Sequence, residues 1–546
     1  MTQQEALKIL KTGANVFLTG AAGSGKTYVL REYIKYLKDY GVNVGITAST
    51  GIAATHMNGM TIHSWSGIGI NNDLSKEEME GREYLSRRIK NANVLIIDEI
   101  SMLHHFRLDL VEKVVKFFKN NDEPFGGLQV VVCGDFFQLP PIQRSGEAEA
   151  KFVYHSKAWE NLNFKICYLY EQHRQSDLKY LSVLNAIRGS VVSDEIRDVL
   201  NSRIDVDLET TLKPVKLYSH NANVDIENEK ELSKLPGKVF SYEMNSKGKS
   251  TIAEALKKSC LAPEILQLKE GAKVMFVKNN FEKGYANGTT GIIEECDNYN
   301  VKVRVSGGRI VNVEPESWRI EEDGKTKAEV MQYPLRLAWA ITIHKSQGMS
   351  LSAAEIDLSR AFEKGMGYVA LSRVCSLAGL TMKGFNETAL LTNDEVADFD
   401  REFNKTSKKH TDEINKFSPA ELEKLHNNFL NKIGVSSGEK KSKKTDTVSE
   451  TKNLIGEGLS IKEVAKKREL KETTITDHVE KIIAKNPDFD ISHLRKDISD
   501  SRYDEIVEAF QETKPDKKGI YPLSPVKEIL GDDFSYDEIR LVRLFL

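Results

Sequence analysis

One eight-residue stretch constrains the fold of this chain more than any other. Residues 20–27 are GAAGSGKT, which fits the phosphate-binding pattern G-x-x-x-x-G-K-[ST]. Residues 15–19 before it predict a short buried strand, and residues 27–38 after it have apolar side chains at helical spacing. A strand, a glycine turn and a helix direct backbone N–H groups and the positive end of the helix at phosphate oxygens. The stretch therefore predicts a P-loop domain of the α/β class.

The P-loop also contains the groups that hold a nucleoside triphosphate. Lys26 is placed to reach the β- and γ-phosphates, and the Thr27 hydroxyl is placed to ligate Mg²⁺. Near the start of the chain, Gln3 could bond both a donor and an acceptor on an adenine edge, although an exposed polar residue is the simpler explanation. We therefore predict binding of ATP and Mg²⁺. The loop residues predicted to bind the nucleotide are Gly20, Gly23, Ser24, Gly25, Lys26 and Thr27.

Two later apolar segments end in polar groups that suit ATP hydrolysis. Residues 94–97 precede Asp98 and Glu99, which is the Walker B arrangement. In it, Asp98 holds Mg²⁺ and Glu99 orients and deprotonates the attacking water. Residues 129–133 predict another strand, and the GDFFQLPP that follows places Gln138 at its carboxyl end, where a γ-phosphate lies. We predict that Gln138 senses that phosphate.

Length and composition limit the remaining possibilities. A chain of 546 residues is too long for one ordinary core, so three or more domains are expected. The formal net charge of −3 gives no global sign of nucleic-acid binding, so any such surface must be local. The five cysteines never have C-x-x-C spacing, which argues against a zinc module and fits a reducing compartment. No apolar run has the length of a membrane span, and we expect a cytoplasmic protein.

Segments downstream of the P-loop could contact a nucleic acid. Residues 47–54, TASTGIAA, contain Thr50 and Gly51 at a strand-to-helix turn that suits phosphodiester contacts, although an ordinary turn explains them equally well. His63 and Trp65 suit stacking on unpaired bases, yet a buried histidine and tryptophan are equally common. Both explanations stay open for each pair.

Taken together, these segments resemble the petite-integration-frequency (Pif) helicases of superfamily 1, subgroup B, which also contains the RecD-type enzymes. The resemblance extends over roughly the first 390 residues. It implies an ATP-driven DNA helicase that moves 5′ to 3′ on single-stranded DNA. The alternatives are a RecD-type translocase and an ATP-controlled switch that grips DNA without unwinding it. The segments that carry the resemblance are residues 20–27, 47–54, 61–65, 97–102 and 134–141.

The expected architecture is α/β, with two RecA-like domains and an all-α domain at the carboxyl end. The first RecA-like domain would span residues 1–165, with a charged surface insertion at about 68–90, and the second would span 166–392. Within the second, hairpin signals predict a small antiparallel β-barrel at about 270–334, where the family has an SH3-like barrel. These hairpin signals are the residue pairs 287–288, 297–298 and 307–308.

The resemblance also assigns roles in the second half of the motor. Arg174 and Arg373 match two arginine fingers that reach the γ-phosphate, so hydrolysis would depend on closure of the two domains. Residues 177–189 are similar to the stretch that marks the Pif branch, and residues 342–348, TIHKSQG, match the motif that couples ATP to DNA. We expect Thr342, His344 and Lys345 near the nucleic-acid backbone, and Gln347 and Gly348 nearer ATP.

Beyond the motor, the sequence predicts two further parts. Residues 393–450 indicate a helical segment, with a capping box at Ser418 and Glu421, and then a flexible basic linker. Residues 451–546 indicate an all-α domain with a helix-turn-helix, similar to the one at the end of some bacterial RecQ-type helicases. Ser460 and Glu463 have the spacing of a capping box at the start of one of its helices. Glu463, Glu469 and Glu472 dilute its basic face, so DNA binding and protein docking both remain open.

The resemblance implies partners and a setting as well. We expect single-stranded DNA and partial duplex or G-quadruplex DNA as partners, and a monomer associated with the bacterial nucleoid. Replication, repair, recombination and telomere-type maintenance are the processes in which the family acts. The choice among these DNA structures lies outside what the residues themselves predict.

Overall fold

The structure is a computed structural model, and it describes residues 1–546 except 70, 83–84, 142–148, 176, 209–212, 220, 281–282, 299, 306–307, 323–324, 436–446, 469, 487–488, 514–520 and 532. The chain forms two compact units, Met1–Ser437 and Gly438–Leu546. Among the described residues, no helix is long and apolar enough to cross a membrane.

The first domain is built on a six-stranded sheet in which every neighbouring pair is parallel. Its spatial order is β3-β2-β4-β5-β1-β6. The predicted boundary at residue 165 is too early, because residues 165–169 pair with the P-loop strand as the edge of this sheet. The strands are β1 Val16–Gly20, β2 Val44–Ala48, β3 Met60–Thr61, β4 Val94–Asp98, β5 Gln129–Cys133 and β6 Lys165–Leu169.

Helices cover this sheet. The helix predicted after the P-loop forms and buries the apolar residues expected of it, among them Val29 and Leu37. The segment at 68–90 is more than a surface insertion, because Met79, Leu85 and Ile89 are buried in the first domain's core. The helices are α1 Gln3–Lys11, α2 Lys26–Asp39, α3 Gly51–His56, α4 Ile62–Ser66, α5 Lys76–Glu80, α6 Ser86–Asn91, α7 His105–Lys119 and α8 Lys157–Asn161.

The second domain has a smaller parallel sheet, in the order β18-β7-β19-β20. A long insertion separates two of its strands. The elements before the insertion are α9 Leu178–Arg188, α10 Asp194–Asn201, β7 Val215–Tyr218 and α11 Asn221–Lys234.

The insertion consists of antiparallel strands and one helix, and it is wider than the predicted 270–334. Five strands form a sheet in the order β14-β13-β12-β11-β17, and a hairpin, β15-β16, pairs with β9. A turn at residues 297–298 joins β12 to β13, as predicted. The elements are β8 Phe240–Glu243, β9 Asn245–Gly248, α12 Ser250–Ser259, β10 Ile265–Leu268, β11 Lys273–Phe276, β12 Thr290–Cys296, β13 Val301–Val305, β14 Ile310–Val313, β15 Glu316–Glu322, β16 Lys325–Gln332 and β17 Leu335–Leu337.

After the insertion, the chain completes the second sheet and then returns to the first domain. The backbone N–H of Tyr168 donates to the Ser407 hydroxyl (3.0 Å), and that of Ile166 donates to His410 Nδ1 (2.9 Å). The helix Asp394–Ile414 (α14) therefore covers the edge strand β6 and satisfies backbone donors of that strand. The elements are β18 Ala340–Thr342, β19 Ala354–Leu358, α13 Met366–Leu371, β20 Leu380–Phe385, α14 Asp394–Ile414 and α15 Pro419–Lys432.

The second unit is helical where it is described. The Ser460 hydroxyl accepts from the backbone N–H of Glu463, which confirms the capping box predicted at the start of the helix-turn-helix. Its own apolar core includes Ile475, Val479 and Phe510. The helices are α16 Thr447–Gly456, α17 Ile461–Arg468, α18 Glu472–Lys485, α19 Asp500–Gln511, α20 Leu523–Leu530 and α21 Tyr536–Arg543.

Candidate nucleotide site and nucleic-acid interface

The P-loop connects β1 to α2, and two of its glycines have backbone angles that favour glycine. Gly23 has a φ of 90° and Gly25 a φ of 85°. A Cβ atom on Gly23 would lie 2.1 Å from Oε1 of Gln172, and one on Gly25 would lie 2.0 Å from Nε2 of Gln3. The loop is therefore closely covered by two glutamines, and only glycine fits beneath them.

Polar side chains line this loop. The Lys26 ammonium donates to the carbonyl oxygens of Gly20 (2.8 Å) and Ala21 (3.1 Å). Nε2 of Gln3 donates to the carbonyl of Ser24 (3.3 Å), so the predicted adenine-binding glutamine does lie at the P-loop. Oγ of Ser24 is buried without a hydrogen-bond partner among the described residues. A ligand oxygen or N–H at the loop could satisfy such a group.

The acid pair lies at the carboxyl end of β4. Asp98 is buried, and the backbone N–H of Glu99 donates to its Oδ1 (2.9 Å). Burial raises the pKa of Asp98 above its ordinary value. Burial, and then the Asp98 carboxylate, raise the pKa of Glu99 to about 7, whereas Lys26 and Arg373 act in the opposite direction. Glu99 can therefore exchange a proton near neutral pH, as a general base must.

Two arginines reach this acid pair from separate parts of the chain. Arg373 is 2% exposed, and its Nε donates to the carbonyl of Val369 (2.9 Å). Nη1 of Arg174 donates to the carbonyl of Ser372 (3.0 Å), so the two guanidinium groups share one loop. Burial, and then Arg174, lower the pKa of Arg373 to about 9, and Glu99 opposes this. Two neighbouring cations beside one carboxylate form a site for a more negative group.

Gln138 marks the contact between the two domains. It is 6% exposed and follows β5 as predicted. Gly365, which precedes α13, has a φ of 86°, and a Cβ atom there would lie 2.7 Å from the carbonyl oxygen of Gln138. The second domain therefore touches the first at the predicted phosphate sensor.

Comparisons with known proteins agree with this geometry. A sequence model described as PIF1-like helicase matches residues 3–204, and one described as the 2B domain of DNA helicase Pif1 matches residues 252–295 within the insertion. The protein named ATP-dependent DNA helicase Pif1 from Psychrobacter sp. is 40% identical, over the whole of both chains. This chain belongs to the Pif1-like helicase family.

Solved structures of the family share the fold of the motor. A crystal structure of Bacteroides sp. Pif1 in complex with ADP-AlF4 has a TM-score of 0.64 and 31% identity, over 74% of this chain and 96% of that one. A Bacteroides Pif1 with ADP-AlF3 and single-stranded DNA has a TM-score of 0.52 and 31% identity, with the same coverage of both chains. A model described as a helix-turn-helix domain matches residues 447–543.

The motif at 342–348 of this Pif1-like helicase touches the first domain at its last residue. Gly348, with a φ of 75°, places its backbone beside the ring of His56, where a Cβ atom would lie 3.3 Å from Nδ1. Nε2 of Gln347 is buried without a partner among the described residues. His344 and Lys345 are partly exposed, and burial lowers the pKa of Lys345. Proximity of Gln347 and Gly348 to ATP stays a prediction.

Two of the predicted DNA contacts are wrong. Trp65 is 3% exposed, and its indole packs so closely on β2 that a Cβ atom on Gly45 would lie 2.9 Å from it. It is a core residue and cannot stack on a base. Thr342 is 2% exposed, and its hydroxyl accepts from the N–H of Lys345 (3.3 Å). Its hydroxyl holds the turn that presents His344 and Lys345.

Three other predicted DNA contacts, Thr50, Gly51 and His63, line or directly adjoin in sequence a cleft between the first domain and the insertion. The Thr50 hydroxyl accepts from the N–H of Ala53 and caps α3, next to Gly51. His63 is partly exposed on α4. The cleft has a volume of about 430 Å³, and the hydroxyl and basic side chains in its mixed lining suit phosphates and sugars. Its lining includes Gly51, Thr61, Ser64, Arg88, Lys249 and Lys327.

Some site residues were not predicted. Nε2 of Gln172 donates to the carbonyl of Ala22 (3.0 Å), and Nε2 of Gln175 donates to that of Ser372 (3.1 Å). Both flank Arg174 in the run EQHRQ, so the density of polar residues around one arginine was an available signal. Tyr368, whose hydroxyl accepts from the N–H of Ala22, had no local signal, because the contact joins residues 346 positions apart.

Proposed function

We propose that this Pif1-like helicase unwinds DNA by moving 5′ to 3′ along a single strand, driven by ATP hydrolysis. One observation carries the mechanism: Arg373, from the second domain, lies beside Glu99 and Arg174, next to the P-loop of the first. Hydrolysis at such a site depends on how the two domains close. A motor uses this kind of domain closure to couple ATP hydrolysis to movement.

The residues of the chain divide the chemistry among them. Glu99 orients the attacking water and accepts its proton. Lys26 neutralises the β- and γ-phosphates, and the two arginines stabilise the charge that spreads over the equatorial oxygens in the transition state. Gln138, at the domain contact, reports the γ-phosphate to the second domain.

The P-loop and β4 fit a magnesium ion. Asp98 offers a carboxylate at the end of β4, and Thr27 offers a hydroxyl at the start of α2. Electrostatic interactions of Asp98 with Lys26 and Arg31 place its carboxylate beside the P-loop helix. Mg²⁺ usually keeps several waters and takes one or two protein oxygens together with substrate phosphates. When bound, it would neutralise the phosphate oxygens.

The DNA path follows from the placement of the polar residues. We infer that a single strand contacts Thr50, Gly51 and His63 on the first domain and His344 and Lys345 on the second. The Bacteroides relative solved with single-stranded DNA supports binding of a single strand by the motor. The same proposal includes binding to partial duplexes and G-quadruplexes. It also includes action as a monomer and association with the bacterial nucleoid.

The carboxyl-terminal domain has two candidate roles, which are DNA binding and protein docking. Arg540 pairs with Glu480, and Arg543 does so through Nη2 at 2.9 Å, so both arginines are engaged within the domain. Phosphate contact needs a surplus of basic groups. We therefore favour protein docking over DNA binding, and we propose that the domain is similar to the RecQ-type helix-turn-helix.

Strand separation on two partial duplexes tests the proposed function. One duplex has a 5′ single-stranded tail and the other a 3′ tail, and both are incubated with ATP and Mg²⁺. We expect only the 5′-tailed duplex to open. Opening of only the 3′-tailed duplex would overturn the polarity and keep the helicase. ATP hydrolysis on single strands without opening of either duplex would favour the RecD-type translocase or the switch.

A further inference from the structure

A buried chain of polar groups joins the P-loop to the second domain. The backbone N–H of Ala22 donates to the hydroxyl oxygen of Tyr368 (2.9 Å), and that hydroxyl donates to Oδ2 of Asp135 (3.2 Å). Tyr368 is 1% exposed and Asp135 is fully buried. The hydroxyl therefore uses both its acceptor and its donor capacity, and both partners belong to the first domain.

The second oxygen of the Asp135 carboxylate, Oδ1, also accepts hydrogen bonds. This oxygen accepts from Nη2 of Arg188 (3.2 Å) and from the backbone N–H of Phe137 (3.3 Å). The Arg188 guanidinium lies over the Phe137 ring at 4.1 Å and also donates to Oδ1 of Asp400 on α14 (3.3 Å). The Asp135 carboxylate cannot turn away from Tyr368 without breaking its bonds to Arg188 and to the backbone of Phe137.

Tyr368 belongs to the helix that leads to the arginine finger. It lies on α13, which ends at Leu371, and Arg373 follows two residues later. Nε of Arg373 donates to the carbonyl of Val369, the residue next to Tyr368. Any shift of α13 relative to the P-loop therefore moves the finger relative to the phosphates.

We propose that Tyr368 is a positioning residue for ATP hydrolysis, whose hydroxyl fixes the P-loop backbone at Ala22 and the loop at Asp135 in register with the helix carrying Arg373. The proposal rests on the proposed ATPase function. The two hydrogen bonds of the Tyr368 hydroxyl join the second domain to the first. Their loss makes closure less favourable and the finger less well placed, whereas the phosphate-binding groups of the P-loop remain.

The test is Tyr368→Phe, which keeps the ring and removes only the hydroxyl. The matched control is Tyr33→Phe. The Tyr33 hydroxyl is also buried and donates to Oε1 of Gln129 (2.6 Å), but both residues lie within the first domain. Each variant loses one buried tyrosine hydroxyl, so we expect similar losses of thermal stability.

The two variants should differ in their kcat for ATP hydrolysis. With saturating single-stranded DNA, we expect Tyr368→Phe to lower kcat for ATP about tenfold or more and to change the Kd of a fluorescent ATP analogue less than about threefold. Tyr33→Phe should keep the wild-type kcat. A wild-type kcat in Tyr368→Phe overturns the proposal, and so does an equal fall in both variants, which would be an effect of stability alone. Absence of DNA-stimulated hydrolysis in the wild-type protein would instead count against the proposed function.

Discussion

Nδ2 of Asn287 lies 3.4 Å from Nε2 of His56 and thereby joins the insertion to the first domain. His56 is the last residue of α3, and its ring also lies beside the backbone of Gly348. Burial, and then Arg31, lower the pKa of His56 to about 4, so the ring is neutral at physiological pH. A neutral Nε2 can accept the amide N–H of Asn287. The first domain, the insertion and the motif at 342–348 therefore meet at His56.

This contact predicts a separation of unwinding from hydrolysis. Asn287→Ala removes the amide that joins the insertion to α3 but touches no residue of the P-loop or acid pair. We expect duplex unwinding to fall several-fold while hydrolysis on single-stranded DNA stays within about twofold of wild type. Asn300→Ala is the control, because Asn300 bonds only to Asp297 within the same insertion in the described contacts. Wild-type unwinding by Asn287→Ala would show that the contact has no part in coupling.

Removal of the main catalytic groups should abolish hydrolysis and spare DNA binding. Lys26→Ala removes the cation that neutralises the phosphates, and Glu99→Gln removes the base. We expect DNA-stimulated ATPase to fall about 100-fold or more in each. Single-stranded DNA affinity, measured by fluorescence anisotropy without nucleotide, should change less than about twofold. Hydrolysis at the wild-type rate by either variant would make the site assignment wrong.

The raised pKa of Glu99 predicts the pH dependence of hydrolysis. The base acts in its ionised form, and its pKa of about 7 means that the ionised fraction falls as the pH drops below 7. The value of kcat/KM reports ionisations of the free enzyme, so it should fall about tenfold per pH unit below that point. The measurement is kcat/KM for ATP between pH 5.5 and 8.5 at constant ionic strength. A kcat/KM that stays constant down to pH 5.5 would contradict the raised pKa of Glu99.

Two truncations should behave very differently. A chain that ends at Ser437 keeps the first compact unit, and we expect wild-type ATPase. A chain that ends at Thr392 also loses α14, whose Ser407 hydroxyl accepts a hydrogen bond from β6, and α15, whose Phe429 covers Gly13. Each large apolar side chain that loses its packing costs about 1.5–3 kcal/mol, so we expect unfolding or a strongly lowered Tm. A stable, active chain ending at Thr392 would contradict the packing of these helices.

The burial of Trp65 predicts a stability defect in place of a DNA-binding defect. Trp65→Ala leaves a cavity beside Gly45, and we expect a loss of about 3–5 kcal/mol in the free energy of unfolding. Trp65→Phe keeps most of the volume and should bind single-stranded DNA with wild-type affinity. A large fall in affinity for Trp65→Phe, at unchanged Tm, would restore the stacking role.

The amino-acid sequence alone determined the parts of this protein that depend on interactions between residues close together in the chain. The P-loop, the acid pair after β4, the apolar face of α2 and the capping boxes at Ser418 and Ser460 all formed as predicted. In each, a strand, a turn or a cap depends on neighbours fewer than about ten positions away. Such interactions are visible in the order of the residues.

Only the tertiary structure decided which of the polar and aromatic residues face a ligand. Trp65 and Thr342 have the chemistry of DNA contacts, but long-range packing buries both. The position of β6 in the first sheet depends on its pairing with β1, about 150 residues earlier. Tyr368 reaches Ala22 across 346 positions. Contacts of this kind depend on how whole sheets and helices pack, and no local pattern in the sequence encodes that packing.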